Sequence, residues 1–193
     1  MTVKRFFLAG VLFTAACGPA TSTGDGDGGL SPDATSGDPR AAQCGRIIER
    51  ARACSPGSAC QINASMGLCM VYRPEFVAAL EACSTRGCDA GSCQPPANAP
   101  SAAFTAAVRA ICTACPAIVG GPGSTADACV ASPMTAELFR GIIGGFDDPT
   151  LTQLSTCFMR LPSEPTACVA GVETCLGQTV PAYAALRACM PRP

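Results

Sequence analysis

The sequence predicts an all-α fold, a disulfide-stapled array of antiparallel helical hairpins. Three observations lead there. Apolar residues recur at helical spacing in one segment after another, and alternating strand-like runs are nearly absent. From Ala41 to Pro193, fourteen residues are cysteine, a density that marks a disulfide scaffold. Proline, serine and glycine stand where helices start and stop. The elements follow in chain order.

Residues 1–16 read as an export signal: Lys4 and Arg5 form a positive start, "FFLAGVLF" (6–13) an apolar run, and Ala15 and Ala16 a small-residue cleavage point. The run is too short to cross a bilayer as a helix, which takes about 20 residues. "TAAC" (14–17) resembles the bacterial lipobox, with Thr14 where that family usually has Leu. The resemblance implies that Cys17 is lipidated and becomes the first residue, anchored stably by more than one acyl chain. Gly18, in place of the Asp that retains such proteins at the inner membrane, then favours the outer membrane. The fifteen cysteines of the chain would leave one thiol unpaired, and lipidation of Cys17 restores an even number.

Residues 17–40 are expected to be the lipidated cysteine and a disordered tether, since Gly, Ser, Thr, Asp, Pro and Ala dominate and only Leu30 is large and apolar. "DGDGG" (25–29) has the look of a calcium loop, but Gly29 and Ser36 stand where two of the ligands belong. Residues 41–193 form the cysteine-rich helical domain. Its helices are read at 41–54 (Cys44, Ile47, Ile48 and Ala51 on one face), from Pro74 to Cys83, and from an N-cap at Ser101 through Cys115. Further helices start at Ser132-Pro133, at the Asp148-Pro149 cap, at Ser163 and at Pro181, with stops at Gly144-Gly145 and Gly177. "AALEAC" (78–83) and "AALRAC" (184–189) echo each other, each closing a C-x13-C spacing. With the Pro-rich break at 94–100, this divides two related halves, 41–93 and 101–193.

An exported chain meets oxidising conditions, so seven disulfides are expected. Cys168 and Cys175 cannot join each other, because seven residues of helix separate them by about 10.5 Å. In an antiparallel hairpin, partners lie equidistant from the turn. That rule pairs Cys44 with Cys69, Cys60 with Cys83 and Cys168 with Cys189, with Cys157 a competitor for Cys168.

Histidine is absent, which removes His-dependent triads and His-ligated zinc sites. Charge is sparse and balanced, 13 Lys and Arg against 14 Asp and Glu, so no basic stripe invites nucleic acid. Glu49, Glu75, Glu81 and Asp148 fall on polar helix faces or caps, the pattern of solvated surface rather than of a glycosidase pair. Cys112-x-x-Cys115 is the motif with redox precedent, but it ends a helix, where the dipole raises rather than lowers a thiol pKa. The body also resembles copper storage proteins, whose helical cysteines hold Cu(I). Those place them as C-x3-C, a spacing this chain lacks. Cys44-x9-Cys54 resembles the twin C-x9-C hairpins of mitochondria, but the next spacing, Cys60 to Cys69, is eight. The broadest resemblance, carried by the lipobox, the Gly/Asp tether and the cysteine-ended helices, is to the Cys-rich, Ala-rich lipoproteins of myxobacteria. Most of those have no known activity. The absence of histidine and of a nucleophile motif, sparse charge and heavy cross-linking lead us to expect a non-enzymatic, membrane-anchored structural or interaction module of the cell envelope, with no cofactor, no metal and an unnamed protein or envelope partner. The alternatives are a thiol-disulfide oxidoreductase using Cys112 and Cys115, or a Cu(I)-binding thiol store.

Overall fold

The computed structural model describes residues 39–54, 59–86, 100–120 and 123–189. The expected signal, Cys17, Cys88, Cys93 and most of the Pro-rich break lie outside them. The fold is all-α: α1 Pro39–Cys54, α2 Ala59–Cys69, α3 Pro74–Ser84, α4 Ala102–Ala114, α5 Ala117–Gly120, α6 Ala126–Ala131, α7 Pro133–Ile143, α8 Asp148–Phe158, α9 Pro165–Thr179 and α10 Pro181–Ala188. Among the described residues there is no strand, only an antiparallel bridge between Tyr72 and Phe146.

Local chemistry sets most boundaries. Ser101 accepts from Phe104 N and caps α4, and Thr125 accepts from Ala128 N and caps α6. Proline opens α3, α7, α8, α9 and α10 within the first two positions, where its missing N–H costs nothing. Three starts differ from the sequence expectation by one or two residues. α1 begins at Pro39, inside the stretch assigned to the tether, because Arg40 is held by the folded body. Asp147, not Asp148, caps α8 by accepting from Thr150 N. Glu164, not Ser163, caps α9, its carboxylate accepting from the N–H groups of Thr166 and Ala167. Nor does Gly177 end α9, which continues to Thr179. A Cβ there would stand 3.5 Å from that of Ala184, an ordinary van der Waals contact, and α10 packs beside it.

In space the helices are neighbours in the order α3, α1, α2, α10, α9, α8, α4, with α6 and α7 beyond α4. The last helix therefore returns to the second. Cys60 stands opposite Cys189, and Gly67 stands against Ala182, seven residues further along each helix in opposite directions. That is an antiparallel pair in strict register. α4 and α8 form the centre, with Phe104, Val108 and Ile111 facing Leu151, Leu154 and Phe158 in one apolar cluster. Each fully buried side chain of this size contributes about 1.5–3 kcal/mol. Residues from both sides of the Pro-rich break share that cluster.

A polar seam completes the join. The turn after α2 meets the turn before α8 through Arg73 N to Gly145 O (2.9 Å) and Asp147 N to Val71 O (2.9 Å). Tyr72 lies between the rings of Phe76 and Phe146, with centroids 4.8 and 5.5 Å away. A Cβ on Gly145 would stand 2.8 Å from the Phe76 ring, so only glycine lets the turn pass. Arg40 donates to Met70 O (3.0 Å) and to Asp147 Oδ2 (3.3 Å), tying the first turn of α1 to the α8 cap.

Candidate functional site

The described cysteines form the expected disulfide framework. Cys44 bonds Cys69, joining the consecutive antiparallel helices α1 and α2. The other two hairpin pairs are corrected. Cys60 bonds Cys189 rather than Cys83, because α3 packs on α1 and leaves the outer face of α2 to α10. Arg46 donates to Glu81 (2.5 Å) and Arg50 to Ser84 (3.1 Å), which fixes α3 on α1. Cys168 bonds Cys115 rather than Cys189. On α9, Cys168 and Cys175 share one face, whereas Glu173 and Gly177, which meet Arg187 and Ala184 of α10, lie nearly opposite at about 100° per residue.

Cys112 and Cys115 do not form a redox pair. They bond Cys129 and Cys168 respectively, and all four residues are fully buried. A dithiol exchange site needs one bond between its two sulfurs and access to it. Here the two sulfurs diverge to α6 and α9. Cys157 bonds Cys175, against the equidistance rule that set it opposite Cys168. The connection after α8 folds back along α9: a Cβ on Gly171 would lie 2.6 Å from Leu161 Cδ2 and 3.5 Å from Pro162 Cδ. This moves the register two turns into α9. Cys54 and Cys83 are disulfide-bonded as well, so each of the twelve cysteines among the described residues is oxidised. A disulfide sulfur offers no thiolate to Cu(I), and no three Cys, Asp or Glu among the described residues gather to hold a metal ion.

The Cys157–Cys175 bond lines an open groove of about 680 Å³ between α8 and α9. Leu161, Pro162 and Gly171 line it from the connection and from α9. Gln153, Thr156 and Arg160 rim it from α8, and Thr174, Gln178 and Thr179 from α9. Its hydroxyls are engaged locally: Thr156 donates to Thr152 O (3.1 Å) and Thr174 to Ala170 O (2.9 Å). No carboxylate lines it, so no general base stands beside them. The groove offers amides, one guanidinium and an apolar floor, which suits contact with a polar surface.

Elsewhere the titratable groups are structural. Glu49, Glu75 and Asp148 are exposed. Hydrogen bonding to Arg46 holds the Glu81 carboxyl below its ordinary value and raises the arginine in turn. Burial pushes the Tyr72 phenol up, out of reach of physiological titration. Sequence reasoning missed the partners Cys129, Cys157 and Cys175 and the Arg40–Asp147 tie, because each joins helices that are not hairpin neighbours or are shifted out of hairpin register.

No helix among the described residues is long and apolar enough to cross a membrane. Disulfides at this density belong to an oxidising compartment outside the cytoplasm. Neither a known protein family, a curated protein nor a solved structure matches the chain.

Proposed function

We propose that the chain is an exported lipoprotein whose cross-linked helical body serves as a non-enzymatic structural or interaction module of the cell envelope. The observation that carries this reading is the oxidation of every described cysteine, in a body whose groove between α8 and α9 has no carboxylate in its lining. Residues 1–16 direct export, Cys17 takes the lipid, and the Gly/Asp-rich stretch after it holds the body away from the membrane. Gly18 directs it to the outer membrane. The partner is a protein or another envelope component that meets a rigid surface; nucleic acid is not among the candidates, given the balanced charge.

Intact-mass analysis of membrane-purified protein tests the anchor. The expected product begins at a lipidated Cys17 and partitions into detergent, and a Cys17→Ala variant loses both properties. A free Cys17 in a water-soluble product overturns the anchor. The non-enzymatic half is tested separately with the purified oxidised body in an insulin-reduction assay, where turnover above the uncatalysed rate overturns it.

A further inference from the structure

We propose that the Cys60–Cys189 disulfide is a reducible latch, a bond that an external dithiol opens stoichiometrically and whose opening releases α10 from α2. Of the five bonds with both halves described, it is the most open. Cys60 is exposed and Cys189 half-buried, whereas each of the other four has at least one residue no more than 4% exposed. Exchange requires a thiolate to reach a sulfur, so access orders the bonds by rate.

What the bond holds is a short helix with little fully buried surface of its own. α10 has eight residues, of which Leu186 alone is buried. A helix of that length does not persist in water by itself. Its remaining ties are packing along α2, closest where Ala182 meets Gly67, contact with α9, the half-buried Ala182 and Tyr183 against the core, and an exposed Arg187–Glu173 pair at 3.3 Å, which adds little in water. Across this helix the chain also loses its covalent link between α2 and α10. The four other bonds join α1 to α2, α4 to α6, the end of α4 to α9, and α8 to α9, so the centre stays stapled while the latch opens.

The chemistry balances without a cofactor. A thiolate of the dithiol attacks one latch sulfur, the Sγ–Sγ bond breaks, and the other cysteine leaves with the electron pair and takes a proton. The second dithiol sulfur then displaces the first cysteine from the mixed disulfide. The latch ends as two thiols and the reductant as its own disulfide.

The test uses the full oxidised chain under native conditions with graded dithiothreitol, followed by alkylation, peptide mapping and hydrogen exchange. Cys60 and Cys189 are expected to be alkylated before any cysteine of the other four bonds. At that point the α10 amides should exchange at least about tenfold faster, and by a larger factor than those of α4 and α8. A Cys60→Ser, Cys189→Ser variant should show the same fast α10 without reductant. If the variant does not accumulate, the partly reduced natural chain supplies both readouts. Earlier or simultaneous reduction of any of the other four bonds overturns the proposal. So does an α10 that keeps its slow exchange once Cys60 and Cys189 are alkylated.

Discussion

Gly45 and Gly67 are both helical glycines, and the same substitution should move the protein in opposite directions at the two. A Cβ on Gly45 meets nothing within 4 Å, while one on Gly67 would stand 2.6 Å from Ala182 Cβ. Removing glycine from a helix interior gains about 0.5–1 kcal/mol. Gly45→Ala is therefore expected to stabilise by about that amount in urea unfolding. Gly67→Ala receives the same local gain but must push α10 off α2. The Ala182 methyl cannot rotate away, and overpacking of this kind costs about 1–3 kcal/mol. A net loss is expected, and a Gly67→Ala protein as stable as Gly45→Ala would show that the two helices do not meet as described. Glycine at these positions was visible in the sequence, but its role was not, since the residue that decides it lies 115 positions further on in Gly67's case.

At the scale of the element, caps and prolines were legible because their causes are local. Ser101 and Pro181 act on the backbone within one turn, so the starts of α4 and α10 could be read directly. Helix α2 could not. It packs between α1 and α10, so Ile62, Ala64 and Leu68 are buried on more than one side and give no single stripe of period 3.6. The cap of α9 makes a prediction about pH. Backbone N–H groups of Ala167 and then Thr166 hold the Glu164 carboxyl below its ordinary 4.5. A carboxyl lowered by folding contributes stability that is fully present above the unfolded value and is lost as pH falls through the folded one. Between pH 7 and pH 5, the melting temperatures of the natural chain and a Glu164→Gln variant should keep a constant offset. Below pH 4.5 the two curves should converge as the cap is protonated. A constant offset down to pH 2 would remove the charged cap from the account.

At the scale of the whole molecule, hairpin symmetry located one disulfide, Cys44–Cys69, where sequence neighbours are also spatial neighbours. It failed for Cys60 and Cys168, because the chain brings its last helix back to its second, and because two faces of α9 serve different partners. Neither fact is written in any local spacing. The bonds that cross between distant segments should matter most for stability. Loop-closure entropy assigns about 4 kcal/mol to Cys115–Cys168, with a sequence separation of 53, and about 3 kcal/mol to Cys157–Cys175, with one of 18. Replacing each pair with alanine should lower the denaturation midpoint in that order, with a larger deficit for Cys115→Ala, Cys168→Ala from the two fully buried sulfurs it removes. The reverse order would mean that the α8–α9 register, rather than chain closure, governs stability.

The return of α10 to α2 also decides how the body bears load. Tension applied between Pro39 and Cys189 follows the shortest covalent path: along α1 to Cys44, across to Cys69, back along α2 to Cys60, and across to Cys189. That path lets the two points separate by about 60 Å at most, the two crossings included, against about 500 Å for the same chain with every disulfide reduced. Helices α3 to α9 hang from it as a closed loop and carry none of the pull. A single-molecule stretch should therefore end abruptly at the short limit with α4 and α8 still packed, and reach the long one only in reductant. A drag on either end would spend itself on two helices, leaving the surface built by the others in shape.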